Sequence, residues 1–234
     1  QQSTTASNNT ALGFYSLKDN TTGERNTAVG KGSLISNTTA SDNVAMGEGS
    51  MQSNTTGADN VALGVNALAN NSTASSNTAV GRNALIANTT GVSNTALGCG
   101  ALCSNTTASY NAAVGCGALC LNTTGAIGTA VGYQSLRSNT TGGSNTAVGD
   151  RSLQSNTTGD HNTTIGAISL FTNTTGFCNT AIGRDALRNV TTGIRNTGLG
   201  RSAGCSLTTG DNNTLVGNSS EPSSATVDNE ITLY

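Results

Sequence analysis

Asn26-Thr27-Ala28-Val29-Gly30 recurs along the whole chain at a step of 17 residues, with copies beginning at residues 9, 26, 43, 60, 77, 94, 111, 128, 145, 162, 179, 196 and 213. No insertion or deletion interrupts the twelve full units. The fifth position is Gly in every copy from Gly13 to Gly217, the fourth is always aliphatic or Met, and the first is Asn except at Gly128. A period held this strictly overrides local propensity, because each unit must do the same structural job and stack on its neighbours. Counted from the Asn, the consensus reads N-T-A-V-G-x-x-A-L-x-S-N-T-T-G-x-x. Position 9 is Leu in ten of twelve units, position 8 is small, and position 14 is always Thr.

Units of this length, poor in helix formers and broken by glycine, make poor helices. Common helical repeats also need about 33 residues or more. The period instead predicts an all-β chain, a parallel β-solenoid (β-roll) with one coil per unit. Thr27-Ala28-Val29 is a short strand, Gly30 a corner, Ser33-Leu34 a second inward segment, and Asn37-Thr38-Thr39 the last side. Strand alternation puts Thr27 and Val29 on one face and Ala28 on the other. The expected core is the position-4 aliphatic and the position-9 Leu: Val29, Leu34, Met46, Leu63, Val80 and Leu85. Twelve coils at the spacing of paired strands extend roughly 55–60 Å. So thin a core favours a homotrimer that buries small residues such as the Ala28 and Ala45 series. Residues 1–8 read as a polar leader, 9–217 as the solenoid, and 218–234 as a linker with one terminal strand. A start at Gln1 and an abrupt end on Tyr234 fit a piece of a longer protein.

Composition narrows the function. Hydrophobic residues are 34%, charged residues 9% and aromatics 3%, with 12 acids against 10 bases. A net charge of −2 without a basic patch does not favour nucleic acid. No apolar run has transmembrane length, so no membrane insertion is expected.

No catalytic constellation stands out, and neither enzyme activity, a cofactor nor a metal is expected. His161, the only histidine, falls on a corner beside Asp160 with no nucleophile to activate. Asp42, Asp59, Asp150 and Asp211 form no calcium loop. Cys99 and Cys103 hold positions 6 and 10 of one unit, and Cys116 and Cys120 the same positions of the next. Stacking places Cys99 over Cys116 and Cys103 over Cys120 at about 4.8 Å, which suits either vertical disulfides or a ladder of reduced thiols. The C-x2-C spacing usual for zinc is missing. Cys178 and Cys205 have no evident partner. Asn-x-Thr sequons recur at position 12 from Asn20 to Asn173. They read either as a stripe of glycan acceptors or as corner-capping Asn next to strand-forming Thr.

The NTAVGxxAL unit resembles the head repeats of trimeric autotransporter adhesins, whose units read N-S-V-A-I-G-x-x-A and form a left-handed β-roll in each of three chains. Their units are usually shorter. The stretch Ser223-Ser224-Ala225-Thr226-Val227-Asp228-Asn229-Glu230-Ile231-Thr232-Leu233 is similar to the junction before the intramolecular chaperone of phage and virus fibres. Together these resemblances imply a homotrimeric fibre segment on a virion surface, presenting a face to a host receptor, protein or glycan. A bacterial trimeric adhesin head, on the cell surface or secreted, is the nearby alternative. The variable positions supply the receptor-contact candidates Arg82, Asn83, Tyr110, Tyr133 and Gln134. A different function remains open: a regular Thr column able to order water and bind ice. Position 13 (Thr38, Thr55, Thr89, Thr106, Thr123, Thr140) is the expected ice face, with position 14 (Thr39, Thr56, Thr90, Thr107, Thr124, Thr141) beside it.

Overall fold

The computed structural model describes residues 5–234. The chain divides into two compact units, residues 1–116 and 117–234. The first holds β1 (Thr10–Leu12), β2 (Thr27–Val29), β3 (Val44–Met46), β4 (Val61–Leu63), β5 (Thr78–Val80), β6 (Thr95–Leu97) and β7 (Ala112–Val114). The second holds β8 (Thr129–Val131), β9 (Thr146–Val148), β10 (Thr163–Ile165), β11 (Thr180–Ile182), β12 (Thr197–Leu199), β13 (Thr214–Val216) and β14 (Ile231–Leu233). Within each unit, neighbouring strands pair in parallel and in register, 17 residues apart, as in Thr27↔Val44 and Val29↔Met46 or Thr146↔Thr163. Both units are therefore β-solenoids with one repeat per coil, and no helix occurs among the described residues.

Hydrogen bonds between coils follow the backbone around the turn. The Thr27 N–H donates to Asn43 O at 2.8 Å, Gly47 N–H to Val29 O at 2.8 Å, Leu34 N–H to Ser50 O at 3.1 Å and Thr38 N–H to Thr55 O at 3.2 Å. Position 5 has to be glycine for two reasons. Gly30 lies at φ 125°, which L side chains rarely adopt, and a Cβ there would come within 2.7 Å of the Gly47 carbonyl in the next coil. Within each unit glycine thus stacks on glycine from strand to strand, up to Gly217, which meets Tyr234.

The interior differs from the expected one. Leu34 and Leu85 are fully buried, as position 9 requires, but the strand residue facing them is position 3: Ala28, Ala45 and Ala79 are fully buried. Position 4 points out. Met46 is 45% exposed, and Val29, Leu63 and Val80 are half-buried. The alternation was read correctly and the inward face was not. The reason is width. The position-9 Leu reaches across from the far wall, and even a Cβ added at Gly198 would lie only 2.8 Å from Leu187 Cγ. Across from Leu there is room for a methyl and little more. The Ala28 and Ala45 series is consumed inside the chain and cannot pack a subunit contact.

Two Asn ladders complete the interior. Asn37 Nδ2 donates to Asn20 Oδ1 at 2.8 Å and to Ala40 O at 3.0 Å. At position 1, the Asn43 N–H donates to Asn26 Oδ1 at 3.1 Å, and Asn43 Nδ2 to Gly57 O at 3.0 Å. Thr164 replaces Ala at position 3 and stays buried because its hydroxyl meets Ser152 Oγ at 2.6 Å, itself 2.9 Å from Ser169 Oγ.

The boundaries also need correction. Residues 5–8 continue the coil pattern: the Thr5 N–H donates to Thr21 O, and Ser7 O accepts from Arg25 N–H at 3.1 Å. The start of the expected leader, residues 1–4, lies outside the described residues. At the other end the expected terminal strand is present as β14, and residues 218–230 lead into it as part of a further coil. β14 pairs with β13 as Thr214↔Ile231 and Val216↔Leu233, the same step of 17. Glu230 N–H donates to Asn213 Oδ1 at 2.9 Å, the bond that an Asn would make at that position. The period survives there in the backbone after the side-chain consensus is lost. Near this end Gly204 stands in for the usual Leu, and Leu187 and Leu215 close over it: a Cβ on Gly204 would sit 2.7 Å and 2.9 Å from their Cδ atoms.

Candidate recognition surface

Several columns of side chains face solvent, and three bear on recognition. The first is the outer sheet face, Thr, Val or Ala at position 2 and the aliphatic at position 4. Its most open members include Leu12, Met46 and Leu97 in the first unit, and Ile165 and Ile182 in the second. No copy carries a charge at either position.

The second column is the turn at positions 6 and 7, just past the stacked glycines. Arg82 is exposed, and Asn83, half-buried at φ 59°, has an Oδ1 buried without a partner. In the second unit Tyr133 is exposed beside Gln134, whose Oε1 accepts from Gln154 Nε2 at 2.8 Å. The third column is position 17, ahead of the strand, where Tyr110 is exposed at φ 63°. The candidate contacts in the first unit therefore divide between two columns and do not converge on one pocket. Position 17 is left-handed at every coil, from Asn8 to Asn229, which the sequence did not signal because residue types there are so mixed.

Cys99 and Cys116 sit in register at position 6 of adjacent coils in the first unit, both as exposed thiols with no disulfide. Cys103 belongs to the first unit and Cys120 to the second; both are half-buried. Cys205 is half-buried, and burial followed by the nearby Glu221 carboxylate pushes its thiol up from the ordinary value. His161 is exposed at φ 57°; its N–H donates to Gly143 O at 3.1 Å, while Asp160 Oδ1 accepts from Gly143 N–H at 2.6 Å. The Asp160 carboxylate and the His161 backbone thereby hold a corner. Among the described residues no group of three His, Cys, Asp or Glu could hold a metal ion.

Asn189 and Asn212 lie in Asn-x-Thr sequons at other positions and are exposed; the ten position-12 asparagines are buried, nine completely and Asn20 at 5% exposure. Their amides are the rungs of the inner ladder, so the capping reading describes the folded chain. The two Thr columns exchange roles relative to expectation. Position 13 is half-buried, and its hydroxyl donates to the next coil's carbonyl, as Thr38 Oγ1 does to Thr55 O at 3.1 Å and Thr89 Oγ1 to Thr106 O at 3.0 Å. Thr55, Thr123 and Thr140 make the same kind of bond, and Thr106 is likewise half-buried. Position 14 is exposed in all twelve coils, from Thr22 to Thr209.

Charge is sparse and local. Arg25 forks across Asp42, with Nε to Oδ1 at 2.7 Å and Nη2 to Oδ2 at 2.9 Å, and this hydrogen bonding holds the Asp42 carboxyl below its ordinary value. Lys31 Nζ lies 3.2 Å from Glu48 Oε1. No protein-family model matches this chain, and neither does any curated protein.

Proposed function

We propose that this chain is a self-associating segment of a viral or phage attachment fibre, a homotrimer that displays its turn columns to a host surface. The observation that carries the reading is the uncharged Thr/aliphatic sheet face, open along both units. Burying it removes apolar surface from water at about 25 cal/mol per Å², and nothing charged on it opposes contact with a second copy. The resemblance to trimeric surface fibres supports three copies. Association through this face leaves positions 6, 7 and 17 free to vary and to bind by repeated weak contacts. The native mass tests the reading: three times 23.2 kDa is expected, falling to a single chain when Met46 and Leu97 are both changed to Glu. A wild-type monomer overturns it.

One observation favours a second reading. The position-14 Thr is exposed in every coil of each unit, a regularity suited to ordering water for ice binding. It is one residue wide and lies at a bend, whereas the flat sheet face beside it mixes Leu, Met, Val and Ile. Thermal hysteresis by the monomer, abolished when Thr90 and Thr107 become Lys, would replace the fibre reading.

A further inference from the structure

The position-7 turn of the first four coils carries a groove that the sheet face does not use. Tyr15, Gly32, Gly49 and Asn66 hold this position in order, at φ 61°, 67°, 65° and 57°. A groove of about 440 Å³ opens over the two glycines, with Tyr15 at one axial end and Asn66 at the other, and with Lys31, Glu48 and Gln52 in its lining. The glycines are not forced by the backbone, because Asn66 and Asn83 adopt the same left-handed conformation two and three coils on from Gly32. Nor are they forced by crowding. A Cβ on Gly32 would meet nothing within 4 Å, and one on Gly49 would first meet the movable amide of Asn66. What two successive glycines do is leave the floor bare.

We propose that this groove binds a neutral oligosaccharide of about three residues. The inference deepens the attachment reading and rests on its claim that the turn columns carry recognition. Other ligand classes fit less well. A peptide strand would need unpaired backbone, but here the Gly49 N–H already donates to Lys31 O and the Asn66 N–H to Glu48 O, both at 3.0 Å. A small apolar ligand would need an enclosed cavity, and this groove is open, with Ile35 and Val65 interleaved among Lys31, Glu48, Gln52 and Asn66. A polyanion would need unopposed cations, whereas Lys31 is neutralised by Glu48. The groups present suit a sugar. The Tyr15 ring stacks on Phe14, with centroids 3.8 Å apart, and has Lys18 Nζ 5.3 Å from its own centroid; the half of it that stays exposed offers an apolar edge and a hydroxyl to a pyranose. The Gln52 and Asn66 amides and the Glu48 carboxylate offer paired donors and acceptors for vicinal hydroxyls. One coil further on, the partnerless Asn83 Oδ1 continues the position-7 column. The axial step of about 4.8 Å is close to the length of one sugar ring, so successive rings meet successive coils.

The test uses the full chain on an array of neutral and acidic oligosaccharides, followed by titration with the best-retained compound. Gly32→Asn fills the floor with a residue that the same turn already accommodates, and Tyr15→Ala removes the ring. Each is expected to weaken binding at least tenfold while the thermal midpoint stays within experimental error. Retention of no neutral oligosaccharide, or binding unaffected by both variants, overturns the inference. A trimer that binds no sugar sinks this inference alone; a monomer that binds one through Tyr15 sinks only the trimer.

Discussion

Leu85 is fully buried and lies at φ 51°, in the left-handed region. Position 9 repeats this conformation from Leu17 to Leu187, and the one Met, Met51, shares it at φ 50°. A β-branched side chain is strained there; Ile127 and Ile168 adopt the same conformation at surface turns, at φ 59° and 60°, whereas the buried position 9 holds no Val or Ile. Two substitutions separate burial from conformation. Leu85→Ala should cost about 2–4 kcal/mol through the cavity it leaves. Leu85→Ile, which keeps the volume, should also destabilise, by about 1–3 kcal/mol, because a β-branched residue is held at positive φ. Val80→Ala, on the outer face of the same coil, should move the monomer's thermal midpoint far less than either. Equal effects at positions 80 and 85 would put the inward face back at position 4.

At the scale of the element, a ladder is only as continuous as its members. Asn145 Oδ1 accepts the Asn162 N–H at 2.9 Å, and the corresponding acceptor for Asn145 is missing because Gly128 stands at position 1. Gly128→Asn would supply it, together with an amide to meet the Gly142 carbonyl as Asn145 meets Gly159 at 2.7 Å. The expected gain is about 0.5–1.5 kcal/mol per bond, read from denaturant melts; a loss of stability would show that the ladder tolerates no further rung there. Charged staples between coils respond to pH instead. The folded-state pKa of Asp42 is lowered by the hydrogen bond from Arg25, and that of Glu230 by the Ser223 hydroxyl and then Thr232. The stabilisation from each is present above the unfolded-state pKa and is lost as pH falls through the folded-state value. Acidification below the ordinary carboxylate range should therefore raise amide exchange first around Glu24–Asp42 and Ser223–Glu230, while the Asn ladders, which do not titrate, keep their protection. Uniform exchange across the chain on acidification would show that these staples hold nothing.

Across the whole molecule, the period carried most of the fold into the sequence. A 17-residue step with invariant Gly30-type corners allows little besides one coil per unit. The inward face was not legible, because alternation gives two faces and the choice between Ala28 and Val29 is made by Leu34 reaching from the opposite wall. The terminal strand was legible but its place in the 17-residue register was not, since Glu230 and Ile231 keep the backbone step without the side chains that announce it. The recognition groove was hidden for a related reason: Gly32 and Gly49 look like corner glycines until the structure shows unused space above them. The sequons are the reverse case, a local motif whose meaning only the assembled fold decides. Their asparagines are buried rungs, and a glycan on Asn88 would remove an amide that donates to Asn71 Oδ1 at 3.0 Å and to Gly91 O at 2.9 Å. It would also place a bulky polar group in an interior packed around Leu. A chain glycosylated at any of these sites during synthesis in a eukaryotic secretory pathway should fail to close its coils. In the folded, secreted fraction, peptide mass spectrometry should then find the ten position-12 sites without glycan, whereas exposed sequons such as those at Asn189 and Asn212 lie outside this constraint. Asn88→Gln, which ends glycosylation at that site but misplaces the amide, should lower rather than raise the yield of that fraction. A folded, protease-resistant fraction carrying glycan on Asn88 would mean that this corner opens without loss of the solenoid.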